Sequence, residues 1–349
     1  MKLSKKNATI VRKTLNGWVN EGVIAEEEHQ RLLNHIDIQP FDWRRLAGYA
    51  FLAALASLVI SIGSLMADTL LLNWISQFFR FDPPVRVAVT GVLATLLYIW
   101  GFRRRRQDAS KIYSNEAILF LGVLMTAAAI SQLGLWLDNG SGRFSGLLLL
   151  GTLIYGVVGW FGRSPLVWLF ALLSLGNAFG AETGYASGWG AYWLGMNYPM
   201  RFIAFGLVLC AAALALQPQL ARRRLDRVSQ AMGLLYLFIA LWILSIFGNY
   251  GDIDHWYQTR QIELLHWSLL FAMAAGMAIW LGLKRDDAML RGFGLTFLAI
   301  NLYTRFFELF WDAMPKTVLF LLLGISLWLL GRHAERIWRL GHHDNDVTH

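Results

Sequence analysis

Apolar and polar stretches alternate along this chain with a long period. Runs of mostly apolar residues occupy 46–66, 85–102, 116–137, 144–161, 165–181, 200–217, 229–247, 264–283, 291–310 and 315–331. A helix needs roughly 20 such residues to cross the hydrocarbon of a bilayer, with a range of about 17–25. The runs are uniformly apolar, whereas barrel strands alternate at every second residue. Only helices and closed barrels satisfy all backbone groups in lipid. The pattern therefore predicts an all-α fold, a polytopic transmembrane helix bundle of about ten spanning helices over 46–331. A polar segment, 1–45, precedes the bundle and a polar tail, 332–349, follows it. Ser164-Pro165 reads as an N-cap followed by proline at the first helical position, so 144–161 and 165–181 are expected to form a tight hairpin.

The segment before the first run has its own pattern. Residues 4–38 read as two short helices about a turn at Glu21-Gly22. Ile10, Val11, Leu15, Trp18 and Val19 make a helical stripe on the first, and Leu32, Leu33 and Ile36 make one on the second. Glu26, Glu27 and Glu28 open the second helix, where the helix dipole favours anions. A hairpin this small buries too little surface to stand alone, so it is expected to pack on the membrane domain or on a cytoplasmic protein.

The motif Trp18-x3-Gly22-x-Ile24, the acidic stretch Glu26–Gln30 and the long apolar region after them resemble a family of bacterial membrane proteins of unknown function. The likeness is best over residues 10–40 and extends through Arg291-Gly292-x-Gly294 and the Arg332-to-Arg339 tail. Ala25 departs from it, standing where a capping Ser or Thr is expected. The resemblance implies a location in the bacterial inner membrane and lends no activity.

Charge orients the threading. Lys and Arg number 31. With the N-terminus in the cytoplasm, 24 of them fall in cytoplasmic connections or mouths and 6 on the outer side. Positive residues concentrate on the cytoplasmic side of membrane proteins, so both termini are expected there. The same bias accounts for the net charge of +8 without a nucleic acid partner. Charged residues are 15% of the chain, against about 25% in soluble domains, as befits a chain solvated largely by lipid. The first apolar run begins at Leu46, too late for a cleavable signal, and is expected to act as a retained signal anchor. Arg103, Arg104, Arg105 and Arg106 form a topology determinant and a natural site for anionic lipid head groups. On the outer side, Arg86, Arg143, Arg201, Arg260 and Lys316 each stand at the start of a helix entering from outside. They read as snorkelling anchors or as a ring around an outer vestibule.

Candidate chemistry centres on the ninth run. Asn301, Arg305, Glu308 and Asp312 are spaced 4, 3 and 4 apart, which at about 100° per residue places them within a wedge of roughly 60°. A charge at the bilayer centre costs roughly 2.5–3.5 kcal/mol, so this stripe should face protein or water. Two readings stand: an internal ion pair that fixes packing, and a functional site. Gln132, Asn177, Glu182, Arg201, Glu263 and His266 fall in the outer halves or mouths of their runs, while the inner halves are almost wholly apolar. That asymmetry motivates an outward-facing polar cavity. In it Arg305 and Arg201 hold an anionic group, Glu308 and His266 titrate, and Gln132 and Asn177 line the wall. The alternative for the outer-mouth residues is a simple interfacial position.

Other chemistries find little to work with. Histidine pairs facing one another for haem ligation are missing, and no phosphate-loop motif occurs. Cys210 is the single cysteine. Ser187, with His266 as base, has the residue types of a nucleophilic pair but lies in a Gly-rich outer loop. No cofactor or metal is expected. The leading expectation is a non-enzymatic membrane protein that binds or transports a small polar or anionic solute. The alternatives are an interaction or sensing protein acting through its cytoplasmic head, and an envelope enzyme on a lipid-linked substrate.

Overall fold

The computed structural model describes residues 2–34, 37–39, 81–108, 111–138, 140, 142–251, 256, 259, 261–311 and 313–338. The expected first span, 46–66, lies outside them, as do Asp312, Arg260, His342, His343 and His349. The chain divides into two compact units, one of residues 1–82 and 100–118 and the other of residues 83–99 and 119–349.

The first unit contains the head. Helix α1 (Lys5–Asn20) and helix α2 (Glu26–Asn34) are joined where the sequence places a turn. Gly22 takes φ +71°, with Val23 N–H donating to the Trp18 carbonyl and Gly22 N–H to that of Val19. This is the Schellman closure, which needs a residue free to adopt the left-handed region. The hairpin closes on Leu15 and His29, both buried. The His29 ring bonds Asn16 Oδ1 at 2.8 Å. Trp18 and Leu32, expected on the packed faces, are exposed instead. A three-residue parallel pairing, Lys2–Ser4 with Asp37–Gln39, brackets the hairpin.

Helices α3 (Pro83–Gln107) and α4 (Ile112–Leu137) contribute residues to both units. In the first, Arg105 pairs with Glu116 at 3.4 Å and Asn115 Nδ2 donates to the Asp108 carbonyl. In the second, the Tyr98 and Thr126 hydroxyls meet at 3.1 Å.

The rest of the second unit is built of α5 (Ser145–Gly162), α6 (Pro165–Ala186), α7 (Tyr198–Ala215), the short α8 (Gln217–Arg222), α9 (Asp226–Phe247), α10 (Leu265–Lys284), α11 (Ala288–Phe310) and α12 (Lys316–Trp338). Helices α5 and α6 form the expected hairpin. Arg163 turns it at φ 52°, the Ser164 side chain caps Val167 N–H, and Pro165 opens the helix. Helices α7 and α9 pack backbone to backbone at Gly206, where an added Cβ would lie 2.6 Å from Leu237 N. Helices α10 and α11 do the same at Gly282 against Arg291 N. Lipid gives apolar side chains no reason to leave it, so membrane helices associate through close small-residue contacts and buried hydrogen bonds. An aromatic core of Phe238, Phe271 and Phe297 ties α9, α10 and α11 together.

Seven of the described helices, α3 to α7 with α9 and α10, are long and apolar enough to cross a membrane. Their outward residues, such as Val92, Leu153, Phe161 and Met273, are large, apolar and exposed, where a soluble protein would carry charge. The protein is an all-α polytopic membrane protein. Helix α11 spans 23 residues but carries Arg291, Arg305 and Glu308, and the described apolar part of α12 is the shorter Lys316–Leu329.

Candidate functional site

The polar face of α11 is turned onto its neighbours. Asn301, buried, accepts from Ser268 Oγ at 2.7 Å and donates to the Ser268 carbonyl at 3.0 Å, clasping α10. Trp242 Nε1 of α9 donates to Thr304 Oγ1 at 2.9 Å. The Tyr303 hydroxyl meets Ser326 Oγ of α12 at 3.1 Å. Arg305 donates from Nη2 to the Ser245 carbonyl at 2.8 Å and pairs with Glu308 at 2.5 Å. Ser245 lies in the last turn of α9, where carbonyls have no partner within the helix. The guanidinium therefore meets the negative end of the α9 dipole. Of the two readings of this stripe, the geometry supplies the packing one in detail.

Arg201 is fully buried at the start of α7. Its Nε donates to the Met196 carbonyl at 2.9 Å, Nη1 to Thr183 at 3.2 Å and Nη2 to Ala191 at 3.1 Å. Its guanidinium lies over the Tyr198 ring, 4.5 Å from the centroid. A rigid fork of donors suits a set of diverging carbonyls in a way a lysine cannot match. Arg201 thus organises the 187–197 loop, in which Trp189 and Leu194 hold positive φ. Asn249 and Asn197 complete the network. Asn197 N–H donates to Asn249 Oδ1, Asn197 Nδ2 to the Gly248 carbonyl and Asn249 Nδ2 to that of Gly195. Ser187 is spent in the same loop, donating to the Gly184 and Gly190 carbonyls.

The remaining candidates are dispersed. His266 is exposed beside Trp267. Asn177 is exposed and donates to the Leu173 carbonyl of its own helix. Gln132 is buried in α4 with no hydrogen bond to Oε1. The structure brings Asn301, Arg305 and Glu308 onto one helix face, but Arg201 and His266 make their contacts elsewhere. Each of these groups takes a backbone carbonyl where one is close: Asn177 on its own helix, Arg201 in the adjoining loop and at the end of α6, and Arg305 at the end of α9.

Among the described residues, a cleft lies at the α4–α5 connection. It is open on one side, has a volume of about 630 Å³, and is lined by 130, 131, 134, 135, 137 and 138 of α4 and its end and by 142–144 and 146–148 at the start of α5. Its walls are mostly apolar, and Asp138 and Arg143 are its charged lining groups. Arg143 pairs with Glu182 of α6, which also accepts from Ser145, and its guanidinium lies 5.2 Å from the Tyr185 ring centroid. The carboxylate beside it holds the Arg143 guanidinium above its ordinary value. Phe144 and Trp189 approach with ring centroids 6.1 Å apart. Arg143 was legible as one of the outer cations. Asp138 and the apolar lining carried no signal, because a cleft between helix ends depends on how the ends splay.

No family model matches the chain, and neither a curated protein nor a solved structure does.

Proposed function

We propose that this protein resides in the bacterial inner membrane with both termini in the cytoplasm, and binds a small polar or anionic solute at the outward end of its bundle. The observation that carries this reading is the Arg143 cleft, a concavity of ligand size with a cation fixed at its lining by Glu182 and Tyr185. The polar groups of α11 are engaged in holding helices together, so binding rather than carriage through the bundle is the role favoured. Thermal unfolding of the purified protein against a panel of organic anions and phosphate esters tests it. At least one should raise the midpoint of the wild type and leave Arg143→Gln unmoved. If none does so, the reading fails.

A second reading rests on the head. Trp18, Val23 and Leu32 are each exposed on a small hairpin, and apolar side chains that join into one exposed patch mark protein contacts. In that case deletion of residues 1–40 abolishes the cellular role while the solute-dependent midpoint shift persists.

A further inference from the structure

Resting on the Arg143 cleft as the binding site, we propose that its occupant is a zwitterionic glycerophospholipid, carrying a phosphate and a primary ammonium group. Three observations lead there. The walls are made by Ile130, Leu135, Leu137, Phe144, Leu147 and Leu148. These side chains suit an acyl chain, while Asp138 and Arg143 in the same lining suit the polar end of one ligand. Leu135, Leu137 and Phe144 of this lining are also exposed. The cleft thus interrupts an apolar surface of the kind that faces lipid, and its ligand reaches it from the bilayer.

The third observation is charge. Asp138 and Arg143 line the same cleft with opposite sign. Glu182 engages Nε and Nη2 of Arg143 and fixes the guanidinium; with five N–H donors in one plane, the group can be shared with a phosphate. Asp138 accepts from Gly140 N–H through Oδ1 at 2.9 Å, a bond that occupies one carboxylate oxygen and fixes the group in the connection. A head group with phosphate and ammonium in one short unit meets both. A purely anionic head group would satisfy Arg143 and set a negative charge near Asp138. A quaternary ammonium would present no N–H to that carboxylate.

Native mass spectrometry of the full-length protein with defined lipids tests this. The probes are dioleoyl phosphatidylethanolamine, phosphatidylglycerol and phosphatidylcholine at equal concentration. Phosphatidylethanolamine should be retained about tenfold better than the other two, the worth of one charge-assisted hydrogen bond. Asp138→Asn should erase that preference, and Arg143→Gln should lower retention of all three. Gly146 lines the cleft, and a Cβ there meets nothing within 4 Å, so Gly146→Phe should fill the space and block retention without disturbing packing. Equal retention of the three lipids, or retention that ignores Gly146→Phe, overturns the proposal. Preference for phosphatidylglycerol lost in Arg143→Gln overturns the zwitterion but keeps the anion-binding reading. Indifference of every lipid and every organic anion to Arg143→Gln sinks both.

Discussion

Arg305 of α11 and Ser245 of α9 are joined by a 2.8 Å hydrogen bond from guanidinium to backbone carbonyl. The arginine that looks most anomalous in the sequence thus serves as a side-chain cap for a neighbouring helix. Its charge is balanced on its own helix by Glu308.

The pair sets a stability prediction. The side chains of Arg305 and Glu308 are 12% and 17% exposed, so both charges sit largely out of solvent. Removing one partner of a buried pair costs about 3–5 kcal/mol, whereas replacing both by apolar groups is about neutral. Arg305→Met should therefore lower the unfolding midpoint sharply. Arg305→Met with Glu308→Leu should recover most of the loss, short of the Ser245 bond. Equal midpoints for the single and double variants in a detergent melt would show that a stranded Glu308 charge is not what destabilises Arg305→Met.

How much of this was legible in the sequence varies with the kind of interaction. The α5–α6 hairpin was, because Ser164 and Pro165 act within one turn. Seven of the expected spans were, because length and hydropathy are local. That the α11 stripe faces protein followed from the cost of charge in lipid. Its partners did not follow, since Ser245 and Ser268 offer backbone carbonyls, which every residue has. The shared cavity for Arg201 and Arg305 failed for the same reason. Arg201 found carbonyls around the start of its own helix and Arg305 one at the end of α9, and no sequence pattern marks which carbonyls a fold brings to which side chain.

Helix packing gives a contrast between two glycines of α10. A Cβ on Gly282 would lie 2.6 Å from Arg291 N, a backbone atom that cannot swing aside, while one on Gly276 meets nothing within 4 Å. Gly282→Ala should destabilise by about 1–3 kcal/mol, as overpacking does. Gly276→Ala should be neutral or raise stability by up to about 1 kcal/mol through helix propensity. Steric-trap or chemical unfolding of the two variants reads the difference, and equal effects would contradict the close approach.

Arg201 predicts an ordering effect at a distance from its own helix. Arg201→Met removes the side-chain donor from the carbonyls of Thr183, Ala191 and Met196; those of Thr183 and Met196 keep the Ser187 and Trp193 N–H groups, so the loss falls mainly on Ala191, at about 1–3 kcal/mol. Amide exchange should quicken across 184–197 and in the 248–251 turn bonded to it, with α10 and α11 unchanged. Arg201→Lys should fall between, since an ammonium cannot span three diverging acceptors. Uniform exchange in all three proteins would remove Arg201 from this role.

The head carries a pH dependence whose sign is fixed. Hydrogen bonds from Gln30 and then His29 hold the exposed Glu26 carboxyl below the usual carboxylate range. A carboxylate lowered on folding contributes stability that is complete above its unfolded value and is lost as pH falls through its folded value. Glu26 also sits in the first turn of α2, where its charge suits the helix dipole. Amide protection over 27–34 in the full-length protein should therefore exceed that of Glu26→Gln at pH 6. The excess should fade below about pH 4, as the carboxylate takes up its proton. The variant's α2 should keep whatever protection its other contacts provide, including the buried Leu15 and the bond from the His29 ring to Asn16. A difference that persists undiminished at pH 3 would mean that the Glu26 charge does not hold the turn.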